Sequence, residues 1–541
     1  MGGKDNSGSR PEAIIRTPYD MLARILTVGG LTLISRVTGF ARDVVLAAIL
    51  GAGPVADAFF VALRLPNHFR AIFAEGAFNA AFVPAYAQVR GQGGANPARL
   101  FADRIFTLLV GVEAVLLALA LAFTPAVIAL LAPGFASDPQ RFALASELTR
   151  VTFPYLLLVS LVTLYGGILN TLGRFASPAA APILLNLSMM LTLALAAFFP
   201  TAGHAAAWGV LLAGCLEALL VGADAARHGV LPRFAPIHIA ADIKRFFRAL
   251  GPATLGSAGT QIALFADTII ASFLAAGALS ALYYADRLNQ LPIGVIGIAV
   301  GTVLLPDMAG RLARGDEAGA HDAQNRAIEL ALLLSVPCFV AFLQFPELIM
   351  LALFGRGAFT AADAAAAAAT LAAYAVGLFP FVLARSVSAT FLARGDTATP
   401  VKALFAAVAV NVACKIALMG PLAQVGLALA TAIGGWVNLA LLVALAARAG
   451  LIRRDARLNT SAVGIAAAGL ALAAALWAAE RVLGAWLAGL PAQAEATLVA
   501  LVVVGAAVYF GVAILLLGRG WFAALRGRTA GPAAVPPLDG D

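Results

Sequence analysis

The sequence contains a series of apolar stretches about 20 residues long, the length of a helix that spans the hydrocarbon of a bilayer. Two of the clearest are 108–131 and 496–517. In lipid, backbone polar groups must be bonded within helices or within a closed barrel. Barrel strands are shorter and alternate in hydrophobicity, whereas 62% of this chain is hydrophobic and only 12% is charged. Soluble domains carry about 25% charged residues, so the sequence predicts an all-α polytopic membrane protein.

Counting these stretches predicts fourteen transmembrane helices. The predicted spans are 22–50, 56–88, 105–131, 142–172, 179–199, 205–224, 250–276, 279–309, 327–344, 364–392, 401–419, 425–447, 461–483 and 496–517.

Basic residues are concentrated in alternate loops between these spans. The loops at 51–55, 276–277 and 420–424 contain none, whereas the loop before the third span contains Arg90 and Arg99. Because cytoplasmic loops are enriched in Lys and Arg, we expect both termini in the cytoplasm. The net charge of +8 is explained by this topology, and no nucleic-acid partner is expected. We call the two faces of the protein the basic side and the basic-poor side.

No residue pattern in the chain is typical of an enzyme or a metal site. Cys215, Cys338 and Cys414 lie in apolar stretches without metal-ligand spacing, and the five histidines are dispersed. The phosphate-binding pattern G-x-x-x-x-G-K-[ST] does not occur in the sequence. We therefore predict no catalytic residue, no bound metal, no cofactor and no direct use of ATP.

Two pairs of similar segments recur about 220 residues apart, so an internal repeat is predicted. The alignment places Arg64 opposite Arg287 and Arg174 opposite Arg394. About six spans fall within one offset, which indicates a parallel repeat with a central site between two lobes. The expected parts are a cytoplasmic tail 1–20, an N-lobe 21–228, a linker 229–249, a C-lobe 250–448, a pair of further spans 449–519 and a tail 520–541.

The linker between the lobes contains a segment, 237–248, that we interpret as an amphipathic helix on the cytoplasmic surface. In that interpretation Ile243, Phe246 and Phe247 face lipid. A polar connector is the alternative.

Ionisable side chains within membrane spans are costly and are functional candidates by default. The first, second and eighth spans carry Arg36, Arg42, Asp43, Asp57, Arg64, Arg70, Glu75, Asp286 and Arg287, and Asn289 follows on the eighth span. Buried ion pairs and snorkelling at helix ends are the alternatives for individual members. The basic members outnumber the acidic ones, and guanidinium groups bind phosphate oxygens in bidentate fashion. A central cavity for an anionic substrate is therefore predicted.

Asp267 in the seventh span and Lys415 in the eleventh, near Asn411, stand apart from this group. They form either a mutual buried pair or a site for a coupling ion or proton. A lysine here argues against sodium, because its ammonium group would occupy the place of the cation.

Four segments resemble the MurJ (MviN) family of lipid II flippases, within the multidrug/oligosaccharidyl-lipid/polysaccharide exporter superfamily. They are SRVTGFARD at 35–43, G-A-G-x-x-x-DAFF at 51–60, R-L-P-N with F-A-E-G-A-F-x-x-A-F-V-P ending at Pro84, and YYADRLNQLPIGVIGIAVGTVLLP at 283–306. The resemblance implies two six-helix lobes, a central cationic cavity, and a groove lined by spans thirteen and fourteen for a polyprenyl tail.

The resemblance also implies which residues serve the cavity. They are Arg36, Arg42, Arg70 and Arg287, with Asp57 and Asp286 as polar partners. The assignment of Arg64 to the cavity is based on the internal repeat alone. Some members couple to sodium through carboxylates in spans seven and eleven, and Lys415 departs from that pattern.

The implied function is to flip lipid II, or a similar polyprenyl-diphosphate lipid, across the bacterial inner membrane by alternating access. The membrane potential or an ion gradient, of unspecified ion, drives it, and membrane lipids and the cell-wall synthesis and division proteins are candidate partners. Rivals are an exporter of another polyprenyl-linked oligosaccharide or of drugs, a lipid-diphosphate enzyme, and a scaffold. The excess of arginine disfavours a drug exporter, since cationic drugs need acidic groups.

Overall fold

The computed structural model describes residues 18–69, 77–238, 241–453, 455–487, 489–518 and 521. Arg70 and Glu75, both expected near the cavity, lie outside the described residues, as do both tails apart from 18–20 and Trp521.

The described residues form α-helices joined by short turns. In chain order they are α1 (Pro18–Leu50), α2 (Pro54–Phe69), α3 (Ala77–Gly93), α4 (Ala95–Ala122), α5 (Thr124–Leu131), α6 (Pro139–Thr152), α7 (Pro154–Thr171), α8 (Ala176–Ala194), α9 (Ala202–Arg227), α10 (Ala241–Ser272), α11 (Ala278–Ala313), α12 (Glu317–Gln344), α13 (Pro346–Phe354), α14 (Ala361–Ala375), α15 (Leu378–Leu392), α16 (Ala398–Arg448), α17 (Ala456–Trp486) and α18 (Gln493–Leu517). Short 3₁₀ turns lie at Pro133–Ser137 and Ala196–Phe198.

The all-helical membrane architecture is confirmed. Within the described residues, nine helical segments are long and apolar enough to cross a membrane. The count of fourteen spans stays a prediction.

Some helix boundaries differ from the predicted spans. The fourth divides into α6 and α7 at Pro154, because proline has no N–H to continue a helix but fits its first turn. The eleventh and twelfth spans are both contained in α16, whose backbone is non-helical at Ala423 (φ 46°, ψ −129°). Gly426 packs against Leu418 and Gly434 against Asn411, so the two arms of α16 lie antiparallel as a hairpin.

The helices pack as two bundles connected by α10. Helices α1–α9 pack mainly on one another, as do α11–α16, and we call these bundles the N-lobe and the C-lobe. Helix α10 contacts α3 of the N-lobe and α16 of the C-lobe. Helices α17 and α18 pack together and rest on α12 and α13. The predicted domain boundaries remain predictions.

The start of α10 corrects the interpretation of the linker. Ile243 is fully buried, Phe246 is 3% exposed, and only Phe247 is exposed. The Phe246 ring lies 5.7 Å from that of Phe78 and 6.5 Å from that of Phe82. The prediction that all three side chains face lipid is wrong, because an aromatic cluster of the N-lobe covers two of them.

The two lobes are closed against each other on the basic-poor side. The backbone N–H of Ala358 donates to the carbonyl of Ala48 at 2.7 Å, and the Tyr284 hydroxyl donates to the carbonyl of Gly51 at 3.1 Å. Gly357 packs directly on the carbonyl of Ala48, where the Cβ of any other residue would clash. Its φ of +61° lies in the left-handed region, which glycine adopts readily.

Candidate functional site

The guanidinium cluster between the lobes is centred on Asp43 of α1. Its carboxylate accepts hydrogen bonds from Arg42 at 2.7 Å and from the Tyr283 hydroxyl at 3.2 Å, and lies 3.4 Å from Nε of Arg287. Arg42 also donates to Asn186 of α8 at 3.1 Å. Asp43 therefore joins an arginine of the N-lobe to one of the C-lobe.

Arg42 and Arg287 differ in what they can offer a ligand. Arg42 is 7% exposed and its contacts hold it to its own lobe. The Arg287 side chain is 41% exposed and lies over the Tyr283 ring at 5.0 Å. Of the two, Arg287 presents free N–H groups to the cleft, and Arg42 positions Asp43.

Arg36 extends the cluster toward the basic side. Its Nη1 lies 3.0 Å from the position that a Cβ on Gly294 of α11 would occupy. Arg385 of α15 approaches Gly297, one turn further along α11, with Nη1 2.6 Å from the corresponding position. Both arginines are exposed, and neither has an ion-pair partner among the described residues. Two cations from opposite lobes thus meet on one glycine face of α11.

Arg385 was missed in the sequence analysis, although it lies in the middle of the tenth predicted span. The rule for ionisable residues within spans would have found it. Its partner helix, however, could not be read from the sequence.

Arg64 lies in a separate polar chamber of about 300 Å³ rather than against Arg287. It donates to the Thr268 hydroxyl at 2.9 Å. The other polar lining residues are Asp267, Asp286, Gln290, Tyr374, Asn411, Thr431 and Asn438. Adjacent residues of α11 therefore serve two sites, with Asp286 in the chamber and Arg287 in the guanidinium cluster.

Lys415 and Asp267 form an ion pair at the edge of this chamber. Lys415 is 1% exposed, so its ammonium group is enclosed against the carboxylate. This contact is the mutual pair of the two alternatives, although the Asp267 side chain is 29% exposed.

Asp57 lies away from both clusters, at the closed end of the cleft. It is fully buried and accepts hydrogen bonds from the backbone N–H of Gly277 at 2.8 Å and from that of Ser280 at 2.9 Å. The Ser280 hydroxyl donates at 2.5 Å, and Arg141 lies 3.4 Å away. A carboxylate of the N-lobe thus caps the first turn of α11 in the C-lobe, where free N–H groups favour an anion.

Two further polar side chains, Arg141 and Asn289, lie outside both clusters. Arg141 was not identified from the sequence, and the structure shows it buried beside Asp57. Asn289, predicted to contact substrate, is 2% exposed, and its Oδ1 has no hydrogen-bond partner among the described residues. It belongs to neither cluster.

An apolar groove of about 360 Å³ lies between the α12–α13 segment and the α17–α18 pair. Its lining includes Phe342, Leu472, Leu501, Gly505 and Tyr509. The Tyr509 hydroxyl donates to the carbonyl of Leu333 at 2.8 Å, which leaves the lining almost wholly hydrocarbon.

Comparison with known proteins gives consistent matches. The family model described as "Lipid II flippase MurJ" matches residues 46–494. A "Probable lipid II flippase MurJ" of Rhizobium meliloti (strain 1021) is 40% identical over 91% of this chain and 93% of its own length. A "Probable lipid II flippase MurJ" of Rhizobium tropici is 42% identical over 77% of this chain and 79% of its own length.

Solved structures show the same fold. One described as "Lipid II flippase MurJ, inward closed conformation" has a TM-score of 0.77 at 22% identity and covers 92% of this chain and 99% of its own. An inward-facing multidrug resistance transporter of the MATE family, in the MOP superfamily, has a TM-score of 0.63 at 15% identity and covers 79% of this chain and 98% of its own.

Proposed function

This chain belongs to the MurJ family of lipid II flippases, and we propose that its two lobes move lipid II across the membrane by alternating access. It is a multi-pass membrane transporter. The proposed location is the bacterial inner membrane, with the basic side and both termini in the cytoplasm. The observation that carries the mechanism is the shared carboxylate of Asp43, which an arginine from each lobe contacts beneath a closed basic-poor side.

The diphosphate of the lipid enters the cleft from the basic side. Arg36, Arg287 and Arg385 present guanidinium groups there, and Asp43 is the carboxylate that contacts Arg287. Forked N–H donors match phosphate oxygens better than a single ammonium does. The diphosphate therefore competes with Asp43 for Arg287 and loosens the contact between the lobes.

Helix α11 transmits this change to the closed end. Arg287 lies two turns after Ser280, which bonds to Asp57. A helix behaves as a rigid rod over that distance, so a shift at Arg287 moves the turn that Asp57 caps. When Asp57 releases α11, the basic-poor side opens and the head group leaves.

The polyprenyl tail remains in contact with lipid throughout, and we assign it to the apolar groove between the α12–α13 segment and α17–α18. The empty, positively charged cleft then returns under the membrane potential, at about 2.3 kcal/mol per charge per 100 mV. Dissipating the potential should slow flipping; an unchanged rate would contradict this return step.

Complementation tests the proposal as a whole. A host depleted of its own flippase should regain growth and lipid-precursor export when it expresses this chain, and should fail to do so with Arg287→Ala. Asn170→Ala, at the end of α7 and outside every site described above, is the control and should complement. Growth restored by Arg287→Ala at equal membrane expression would contradict the proposed mechanism.

A further inference from the structure

The chamber that contains Arg64 has no role in holding the diphosphate. We propose that it is a carbohydrate subsite, which receives a sugar ring of the head group while the neighbouring arginines hold the diphosphate. This inference rests on the proposed function and assigns a second part of the substrate to a second part of the cleft.

The charges of the chamber are matched, unlike those of the guanidinium cluster. Asp267 is paired with Lys415, and Asp286 lies near both Arg287 and Arg64 and accepts a hydrogen bond from Gln290 at 3.3 Å. An anionic group gains little in such a site, because each cation already has a carboxylate. An uncharged polar group is the suitable occupant.

Two carboxamides of the chamber lack partners. Oδ1 of Asn411 and Oδ1 of Asn438 are inaccessible to solvent and accept no hydrogen bond from the described residues. Buried acceptors are nearly always satisfied in folded proteins, and an exception calls for an explanation. Both residues line the chamber, so a small rotation of either carboxamide brings its oxygen to the chamber, where a hydroxyl or amide N–H group of a ligand can donate to it.

The remaining lining suits a sugar ring in shape and polarity. The rings of Tyr374 and Phe381 and the side chains of Leu264 and Leu404 supply apolar faces beside the carboxamides. A volume of about 300 Å³ is at the lower end of small-molecule sites, which combine apolar walls with a few placed polar groups. One ring with C–H faces and an edge of hydroxyl groups has these properties.

The position of the chamber agrees with the order of groups in the substrate. Asp286 and Arg287 follow each other on α11, about 100° apart around the helix axis. A diphosphate on Arg287 therefore has its next covalently attached group beside Asp286. In a polyprenyl-diphosphate glycolipid that group is the first sugar.

Lipid binding to purified protein in nanodiscs distinguishes the carbohydrate subsite from the site that holds the diphosphate. The probes are polyprenyl diphosphate, the same lipid carrying one N-acetylated sugar, and the same lipid carrying the full sugar-peptide head. Wild-type protein should bind the one-sugar lipid more tightly than the bare diphosphate. Asn411→Ala and Asn438→Ala should each weaken binding of the one-sugar lipid about 3- to 10-fold, the effect of one hydrogen bond, and leave the bare diphosphate unaffected.

Two controls frame this experiment. Asn170→Ala, a half-buried carboxamide in the N-lobe, should change nothing, and Arg287→Ala should weaken binding of all three lipids. Equal wild-type affinity for the bare and one-sugar lipids, or equal weakening of both by the asparagine substitutions, would overturn the subsite. So would weakening seen only with the peptide-bearing lipid, since the occupant would then be the peptide. Failure of wild-type protein to move any of the lipids across a bilayer would instead refute the proposed function.

Discussion

Asp57→Asn tests how the basic-poor side is held shut. The carboxylate accepts three hydrogen bonds from the first turn of α11 and contacts Arg141, while buried. Asparagine keeps one acceptor oxygen but loses the charge, so Arg141 loses its buried counter-ion. Breaking a buried ion pair from one side costs about 3–5 kcal/mol. That cost falls on the open and closed states alike, because Arg141 and Asp57 belong to the same lobe. Only the hydrogen bonds to α11 are specific to the closed state, and replacing their charged acceptor weakens them by about 1.5–3 kcal/mol.

A loss of about 1.5–3 kcal/mol shifts the equilibrium between the closed and open states by about 10- to 10²-fold, at tenfold per 1.4 kcal/mol. Spin labels at Gly53→Cys and Arg356→Cys report the separation of the lobes at this end. A Cβ on Gly53 meets nothing within 4 Å, and Arg356 is exposed, so both positions tolerate a label. Asp57→Asn should move the distance distribution to longer values and abolish complementation.

Asp138→Asn is the matched control. Asp138 lies 3.8 Å from Arg141 on the exposed side and caps α6, so its loss leaves the contacts between Asp57 and α11 intact. It should cost little stability, because asparagine caps a helix about as well as aspartate does, and it should leave the distances unchanged. If Asp57→Asn left the inter-label distances and lipid export as in wild type, Asp57 would not hold the lobes together.

Four further outcomes are expected. Arg385→Ala should reduce lipid-precursor export about 10-fold or more, as one charge-assisted contact to phosphate is lost, with Arg385→Lys intermediate; export equal to wild type would remove Arg385 from the site. Gly297→Ala should give a smaller loss, because its Cβ would lie 2.6 Å from Nη1 of Arg385 and displace that guanidinium, and an Arg385→Ala background should abolish the effect. Lys415→Met should lower the melting temperature, since it leaves the half-buried carboxylate of Asp267 without its counter-ion, and adding Asp267→Asn should restore much of it; a melting temperature unaffected by Lys415→Met would contradict a stabilising pair. Gly505→Leu should impair transport without lowering affinity for a short-chain diphosphate lipid, because it narrows a groove already bordered by leucines at 3.1 Å; normal transport would separate the groove from the tail.

The residues at the centre of the cleft could be predicted because a charged residue within an apolar stretch can be recognised from the sequence alone. Arg42, Asp43 and Arg287 were identified in this way, and the structure brings them together. Lys415 and Asp267 were identified for the same reason, and they lie in contact, since two opposite charges at membrane depth have few other ways to be neutralised.

The neighbours toward which each side chain points could not be predicted from the sequence. Asp57 and Asp286 both looked like cavity carboxylates, yet one caps a helix at the closed end and the other lines the chamber. Ile243 and Phe246 had the spacing of a lipid-facing helix and instead join an aromatic core. In each case the deciding neighbour comes from a helix distant in sequence.

The sequence by itself determined that the chain lies in a lipid bilayer, that it is helical, and which charged groups lie at membrane depth. It did so because hydrocarbon forbids unpaired backbone groups and makes each charge costly, and both effects act residue by residue. Only the tertiary structure decided which charges share a cleft, which side is closed, and where Arg385 and Arg141 belong. Those outcomes depend on how helices hundreds of residues apart pack against one another, and helix packing follows from the complementary shape of whole surfaces and not from the composition of any one span.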